Sequence, residues 1–286
     1  MGDLRGCVRR TVVAWLVALA LAIPASVVAT AQEFTPITYP GAILTAGYGI
    51  NPEGEVVGQY QGPDGRPYGY LLSGGAFESL DPPGSILTFA FGINSRGDIV
   101  GRYDTSDGRT HGFLRQRGAY WTIDVPGAVR TTAQGINSEG DLVGQYTSPD
   151  GRTHGYKLTA EGFTTLDVPG AARTRAAAIN PRGDVVGEFL GADGRTHGFL
   201  WTDEGITEID VPSAVFTEAV GINARGDIVG FYRNADGVAR GFLLTGGTFV
   251  RIDVPGLVQL RGISPSGVIV GSYTDSGVIH GFTLGK

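Results

Sequence analysis

The chain has 286 residues, a formal net charge of −6, 47 glycines and a single cysteine, Cys7. An acidic, mixed-sign chain is a poor match for nucleic acid or for an anionic membrane surface as main partner. Cys7 falls inside the leader read below, so the processed chain has no thiol chemistry and no disulfide to hold its fold.

Arg5, Arg9 and Arg10 precede the apolar run "TVVAWLVALALAI", which ends at Pro24 and the small-residue stretch "ATA" before Gln32. That order predicts a secretory signal over residues 1–31, cleaved after Ala31. The run is shorter than the roughly 20 apolar residues of a membrane span, and no later segment approaches that length. The Arg9-Arg10 pair leaves twin-arginine export open beside the general route. Cleavage leaves 19 basic and 27 acidic residues, a net charge of −8, on a single domain of residues 32–286. Its expected location is the periplasm or the extracellular space.

From Gln32 onward the chain repeats itself. "GIN" recurs at Asn51, Asn94, Asn137, Asn180 (as Ala-Ile-Asn) and Asn223, with Ser264 in the last copy, at steps of 43, 43, 43, 43 and 41 residues. Asp-Gly pairs recur in phase from Asp64 to Asp236, and so does "DVPG" at Asp124, Asp167 and Asp253. Each copy holds four short segments of strand character, such as "TTAQGI", "DLVGQY", "THGYKL" and "FTTLDV", divided by turn residues. Four strands in a repeat of this length predict the blade of an all-β propeller, and no segment after the leader has a helical period. In "NPEG" and "NSRG" the Asn bonds its own backbone and the Gly takes the left-handed position, so these asparagines are read as turn formers.

Within a copy the expected order is inner strand at "GIN", second at "DIVGxY", third at "HGFL" and outer strand at "FxxIDV". The last copy stops at "HGFTLGK", and "EFTPITYPGA" near the start matches the missing outer strand at Phe34, Ile37, Pro40 and Gly41. The two pieces together give six blades of four antiparallel strands, with the N-terminal strand closing the last one. A linear solenoid is the structural alternative, but it offers no reason for a split unit and needs caps at both ends.

The core "GINxxGDIVGxY…DGRTHGFLW", fullest from Ala178 to Trp201, resembles the extracellular HAF repeat family of bacteria over nearly all of residues 32–286. The family's His-Ala-Phe reads His-Gly-Phe at His111, His197 and His280 and His-Gly-Tyr at His154; Tyr68 and Arg240 replace the histidine in the other copies. The resemblance implies a secreted propeller-like repeat and carries no catalytic residues.

Chemistry is sparse. The four histidines share one repeat position on the third strand, which places neighbours well over roughly 10 Å apart in a sixfold ring, against about 2.1 Å for a zinc ligand. They are read as structural hydrogen-bonding groups, and no metal or cofactor is expected. "SPDGRTH" at Ser148 departs from the Asp box of sialidases at two places, and no phosphate loop or nucleophile elbow is present.

The positions where the repeat stops dictating lie four and two before the "GIN" isoleucine: Ala46 and Tyr48, Phe89 and Phe91, Thr132 and Gln134, Arg175 and Ala177, Glu218 and Val220, Gln259 and Arg261. A propeller binds at the mouth of its channel, which these positions would line. The first expectation is a non-catalytic, monomeric module that binds a glycan or an extracellular protein. Tyr48, Phe89 and Phe91 would stack on it and Gln134, Arg175 and Glu218 would bond it. The second is a hydrolase, lyase or lactonase with Glu218 as acid or base and Arg175 or Arg261 steadying an anion. The third is a structural envelope or matrix protein without a rim site.

Overall fold

The computed structural model describes residues 33–285; the leader, Cys7 and the cleavage site after Ala31 lie outside the described residues. Among the described residues there are 24 strands, and no helix is long and apolar enough to cross a membrane.

The first strand, β1, is Phe34–Ile37. Six strands contain the "GIN" isoleucine at their ends: β2 (Leu44–Ile50), β6 (Ser85–Ile93), β10 (Arg130–Ile136), β14 (Arg173–Ile179), β18 (Phe216–Ile222) and β22 (Leu257–Ile263). Each pairs antiparallel with the strand that follows its turn: β3 (Val56–Gln61), β7 (Ile99–Thr105), β11 (Leu142–Thr147), β15 (Val185–Leu190), β19 (Ile228–Arg233) and β23 (Ile269–Asp275). The "HGF" strands come third, as β4 (Pro67–Ser73), β8 (Thr110–Gln116), β12 (Thr153–Thr159), β16 (Thr196–Thr202), β20 (Ala239–Thr245) and β24 (Val278–Leu284). The outer strands are β5 (Ala76–Leu80), β9 (Ala119–Ile123), β13 (Gly162–Leu166), β17 (Gly205–Ile209) and β21 (Thr248–Ile252).

No outer strand follows β24; β1 takes that place, in a sheet of order β1-β24-β23-β22. Phe34 pairs with Leu284 and Ile37 with Gly281. Two larger sheets arise where neighbouring meanders touch through one parallel pair each, Arg130 with Thr110 and Phe216 with Thr196.

The turns after "GIN" behave as the sequence predicts. In the copy at Asn94 the side-chain Oδ1 accepts from the backbone N–H of Arg96 at 2.9 Å and of Asp98 at 3.0 Å, and Gly97 sits at φ 74°. The same asparagines have a second role that turn chemistry does not announce. Asn94 Nδ2 donates to the backbone oxygen of Asn137 at 3.0 Å, and Asn51, Asn137, Asn180 and Asn223 reach the corresponding oxygen of the next copy. All five are buried, so these bonds satisfy carbonyls that water does not reach and tie one copy to the next. The chain of bonds ends at Ser264, whose shorter side chain bonds Ser266 at 2.8 Å instead.

Each meander packs around one aromatic. The ring of "HGF" or "HGY" lies across the ladder from the glycine of "VGxY", as Tyr156 does from Gly144 and Phe113 from Gly101. Tyr70, Phe113, Tyr156, Phe199, Phe242 and Phe282 are the largest fully buried side chains. Glycine is needed opposite them because a Cβ on Gly144 would stand 2.0 Å from the carbonyl oxygen of Thr132 and 3.0 Å from the Tyr156 ring. The in-strand glycine is therefore a close-approach position and not a turn.

Four of the links from an outer strand to the next inner one are pinned by a buried threonine. Thr131, Thr174 and Thr217 accept from the N–H of Val125, Val168 and Val211 at 3.0, 3.0 and 3.3 Å, and Thr45 accepts from Tyr39 at 2.9 Å after β1. Where the inner strands meet, Gly49 abuts Phe91, Gly92 abuts Gln134, Gly135 abuts Ala177, Gly221 abuts Arg261, and Gly262 returns to Tyr48. A further apolar cluster of Ile37, Val56, Tyr70 and Val270 spans β1, β3, β4 and β23, so the last sheet packs on the first.

Candidate functional site

Every "GIN" strand carries a register shift two residues before its isoleucine, as between Ala133 and Gly135. A bulge adds an unpaired residue and re-aims its side chain. The bulged residues are Tyr48, Phe91, Gln134, Ala177, Val220 and Arg261, and all six line one cavity of about 100 Å³ with the isoleucines behind them. That volume is smaller than the cavity of about 150 Å³ that takes a benzene, so a sugar-sized ligand would sit at the mouth and not inside.

Two residues earlier on the same strands, away from the asparagine end, come Ala46, Phe89, Thr132, Arg175, Glu218 and Gln259. Their ladder partners are Gln59, Arg102, Gln145, Glu188, Phe231 and Ser272. These partners are the variable letter of "VGxY", a sequence signal as plain as the inner-strand one but not read from it. Arg173, two residues before Arg175, joins them.

The arginines stand on alternate repeats, Arg102 on β7, Arg173 and Arg175 on β14 and Arg261 on β22, with Glu188 on β15 and Glu218 on β18. Glu188 is 2% exposed and accepts from Arg175 Nη1 at 2.9 Å and Arg173 Nη2 at 3.5 Å. A carboxylate so buried depends on such partners. Arg261 Nη2 donates to Gln259 Oε1 at 2.6 Å, and its guanidinium lies 5.4 Å from the Tyr48 ring centroid. Arg102 stacks on Phe89 at 4.7 Å.

Glu218, partly buried, has its pKa pushed up to about 7, first by burial and then by the Glu188 charge, against the pull of Arg261, Arg175 and Arg173. The folded chain therefore holds this proton more tightly than the unfolded one, and the stability it contributes is lost as pH rises from 4.5 through about 7. Glu218→Gln should abolish that slope. The variant is expected to melt several degrees above the parent near pH 8 and level with it near pH 4.5; equal melting at both would contradict the assignment.

The structure thus brings together all seven residues singled out from sequence. Tyr48, Phe91, Gln134 and Arg261 line the cavity, and Phe89, Arg175 and Glu218 stand at the mouth. The aromatic faces are partly taken. Tyr48 is only 9% exposed and packs on Phe91 at 5.3 Å, and Phe89 stacks on Phe91 at 5.9 Å.

Polar satisfaction marks the mouth from the other direction. Of 13 buried side-chain polar atoms without a hydrogen-bond partner among the described residues, seven lie here: Gln59 Oε1, Gln145 Oε1, Ser272 Oγ and the Nε of Arg102, Arg173, Arg175 and Arg261. Buried polar atoms are rarely left unpaired, so a cluster of them marks side chains that gain by turning toward a ligand or water at the mouth.

The histidines lie elsewhere, each bonded within its own sheet. His111, His154 and His197 bond Asp124, Asp167 and Asp210 of the "DVP" phrase at 2.9, 2.7 and 2.7 Å, and His280 bonds Thr38 at 3.0 Å. Tyr68 and Arg240, at the same repeat position, turn to the Asp-Gly turn instead and bond Asp64 at 2.8 Å and Asp236 at 2.6 Å. Among the described residues His197, Glu208 and Asp210 come nearest to a ligand set, with one atom each within 4.8 Å of the others, but both carboxylates are exposed.

No family model matches the chain, and no curated protein does. Solved structures do. The chain is similar to a putative TolB from Agrobacterium tumefaciens (TM-score 0.59, 14% identity, covering 88% of this chain and 90% of that one). It is similar to AofleA from Arthrobotrys oligospora (0.52, 16%, 90% and 91%) and to the fucose-specific lectin from Aleuria aurantia (0.53, 13%, 88% and 96%). At such identities the likeness is one of fold, and the fold is a β-propeller.

Proposed function

We propose that the chain is a secreted, monomeric six-bladed β-propeller of the HAF repeat type, closed by β1, that binds a glycan at the channel mouth opposite the asparagine turns. The reading rests on the seven unpartnered buried polar atoms around that mouth, beside Phe89 and Phe91. The presence of fucose-specific lectins on the same fold supports a sugar over a protein as the ligand class, although fold alone does not fix function. The residues in contact would be Phe89, Phe91, Gln134, Arg175, Glu218 and Arg261, with Tyr48 supporting Arg261 from beneath.

A glycan array probed with residues 32–286 tests this reading. Retention of at least one glycan, lost in an Arg261→Gln/Gln145→Ala double variant that still melts like the parent, is the expected result. An array without any retained glycan, or retention unchanged in the double variant, would overturn it.

One observation favours a catalytic reading on the same residues. Glu218, with its pKa near neutrality beside Arg261 and Arg175, meets the requirement of a general acid or base facing an anion. That reading makes the protein a hydrolase, lyase or lactonase. It predicts slow conversion of a retained ligand that stops in Glu218→Gln, whereas a binding module returns the ligand intact.

A further inference from the structure

The unpartnered atoms at the mouth differ in kind, and the difference specifies a ligand. Four are guanidinium N–H donors, on Arg102, Arg173, Arg175 and Arg261, and three are oxygens able to accept, on Gln59, Gln145 and Ser272. A ligand that completes both sets presents hydroxyl groups to the oxygens and concentrated negative oxygen to the guanidiniums. Each guanidinium has five N–H donors in a fixed fork that matches the two oxygens of a carboxylate. The partners already in place use few of those donors: Glu188 for Arg173 and Arg175, and Gln259 for Arg261.

Charge points the same way. The chain as a whole is net negative at −6, yet the charges around Glu218 at the mouth are one carboxylate, Glu188, and three guanidiniums, Arg173, Arg175 and Arg261. An acidic protein with a local excess of cations at one opening attracts an anion there and repels it elsewhere.

We infer that the mouth takes a carboxylate-bearing sugar, a hexuronate unit, with the carboxylate on the arginines and ring hydroxyls on Gln59 and Gln145. The inference rests on the glycan-binding reading and narrows it. Phe89 and Phe91 supply the apolar surface that a sugar ring needs and an inorganic anion does not.

Glu218 makes the site sensitive to pH. The groups that face it are Glu188 on β15, Arg173 and Arg175 on β14 and Arg261 on β22, while Phe231 opposes it on β19 with Arg233 stacked 5.7 Å from the Phe231 ring. Protonation removes one of the two carboxylate charges that repel a bound uronate, so uronate binding tightens as pH falls through neutrality.

Isothermal titration of residues 32–286 with the methyl glycosides of glucuronate, galacturonate and mannuronate, each set against its neutral hexose counterpart, tests this. One uronate is expected to bind at least about tenfold more tightly than its neutral partner near pH 6, the range set by a charge-assisted hydrogen bond. Its affinity should weaken near pH 8 in the parent and stay level in Glu218→Gln. Arg261→Gln, which leaves the Glu188 pairs intact, should lose the preference for the acid. Inorganic sulfate should compete weakly.

Equal or tighter binding of a neutral hexoside would overturn the uronate assignment and leave the glycan-binding reading standing. Binding of none of the glycosides would overturn the uronate assignment, and an empty glycan array would remove the broader reading with it. Sulfate that displaces the uronate as well as a second uronate does would make the mouth a general anion site, again against the inference.

Discussion

Deletion of Glu33 to Thr38 should lower the melting temperature by about 6–16 °C and make the protein associate. The segment supplies all of β1, whose four residues pair with β24. Ile37, 4% exposed, is lost from the cluster it shares with Val56, Tyr70 and Val270, and burying such a side chain contributes about 1.5–3 kcal/mol. Phe34, stacked 5.2 Å from Phe282 and set edge-on 5.1 Å from Tyr273, goes with it. A loss of about 3–4 kcal/mol corresponds to that temperature range for a domain of this size, at about 2–4 °C per kcal/mol. The freed edge of β24 is then an open row of N–H and C=O groups, which another copy can pair with. No cysteine lies beyond residue 7 to hold that edge in its place. An unchanged melting curve in a monomeric truncated protein would remove β1 from the closure and favour an open solenoid.

Gly144→Ala is the second large effect. The new Cβ would stand 2.0 Å from the Thr132 carbonyl oxygen, and that oxygen is fixed by the bulge at Gln134 and the ladder around it. The Tyr156 ring closes the other side at 3.0 Å and is itself fully buried, so neither neighbour can withdraw. Overpacking of this kind costs about 1–3 kcal/mol, read as a lower urea midpoint with an unchanged slope. Thr132 stands at the mouth, so the same change should also weaken ligand binding. A midpoint within error of the parent would show that the inner strand gives way, and that the glycine of "VGxY" is not the close-approach position described.

Much of this molecule was legible because it says the same thing several times. A period of 43 residues, in-phase turns and a unit split into one strand near the start and three near the end specify four-stranded meanders and their order, and β1 is found where the "EFTPI" match placed it. The site was legible in part. Residues that vary where their neighbours do not were read on the inner strand, and those seven do converge. Their ladder partners were not, since Arg102, Gln145 and Glu188 matter through a cross-strand pairing that is a property of register and not of the segment itself. The bulge was equally hidden: no residue type marks it, and it is the close approach of neighbouring inner strands that fixes it. Tyr48 was expected as a free stacking face and is instead 9% exposed, covered by Arg261 and Phe91, because the channel is too narrow to leave a ring that size open.

The claim that the ligand meets the arginine mouth is tested most directly by the arginine side-chain Nε–H signals in a 15N correlation spectrum, recorded while the tightest-binding glycoside is added. Arg102, Arg173, Arg175 and Arg261 should shift together with ligand occupancy, because their Nε atoms are buried and unpartnered. Arg182 and Arg225, whose Nε atoms already bond Asp184 and Asp227 at 2.9 and 2.8 Å at the asparagine end, should not move. Shifts confined to Arg182 and Arg225, or to the outer-strand Arg251, would place the ligand on another surface and contradict the account.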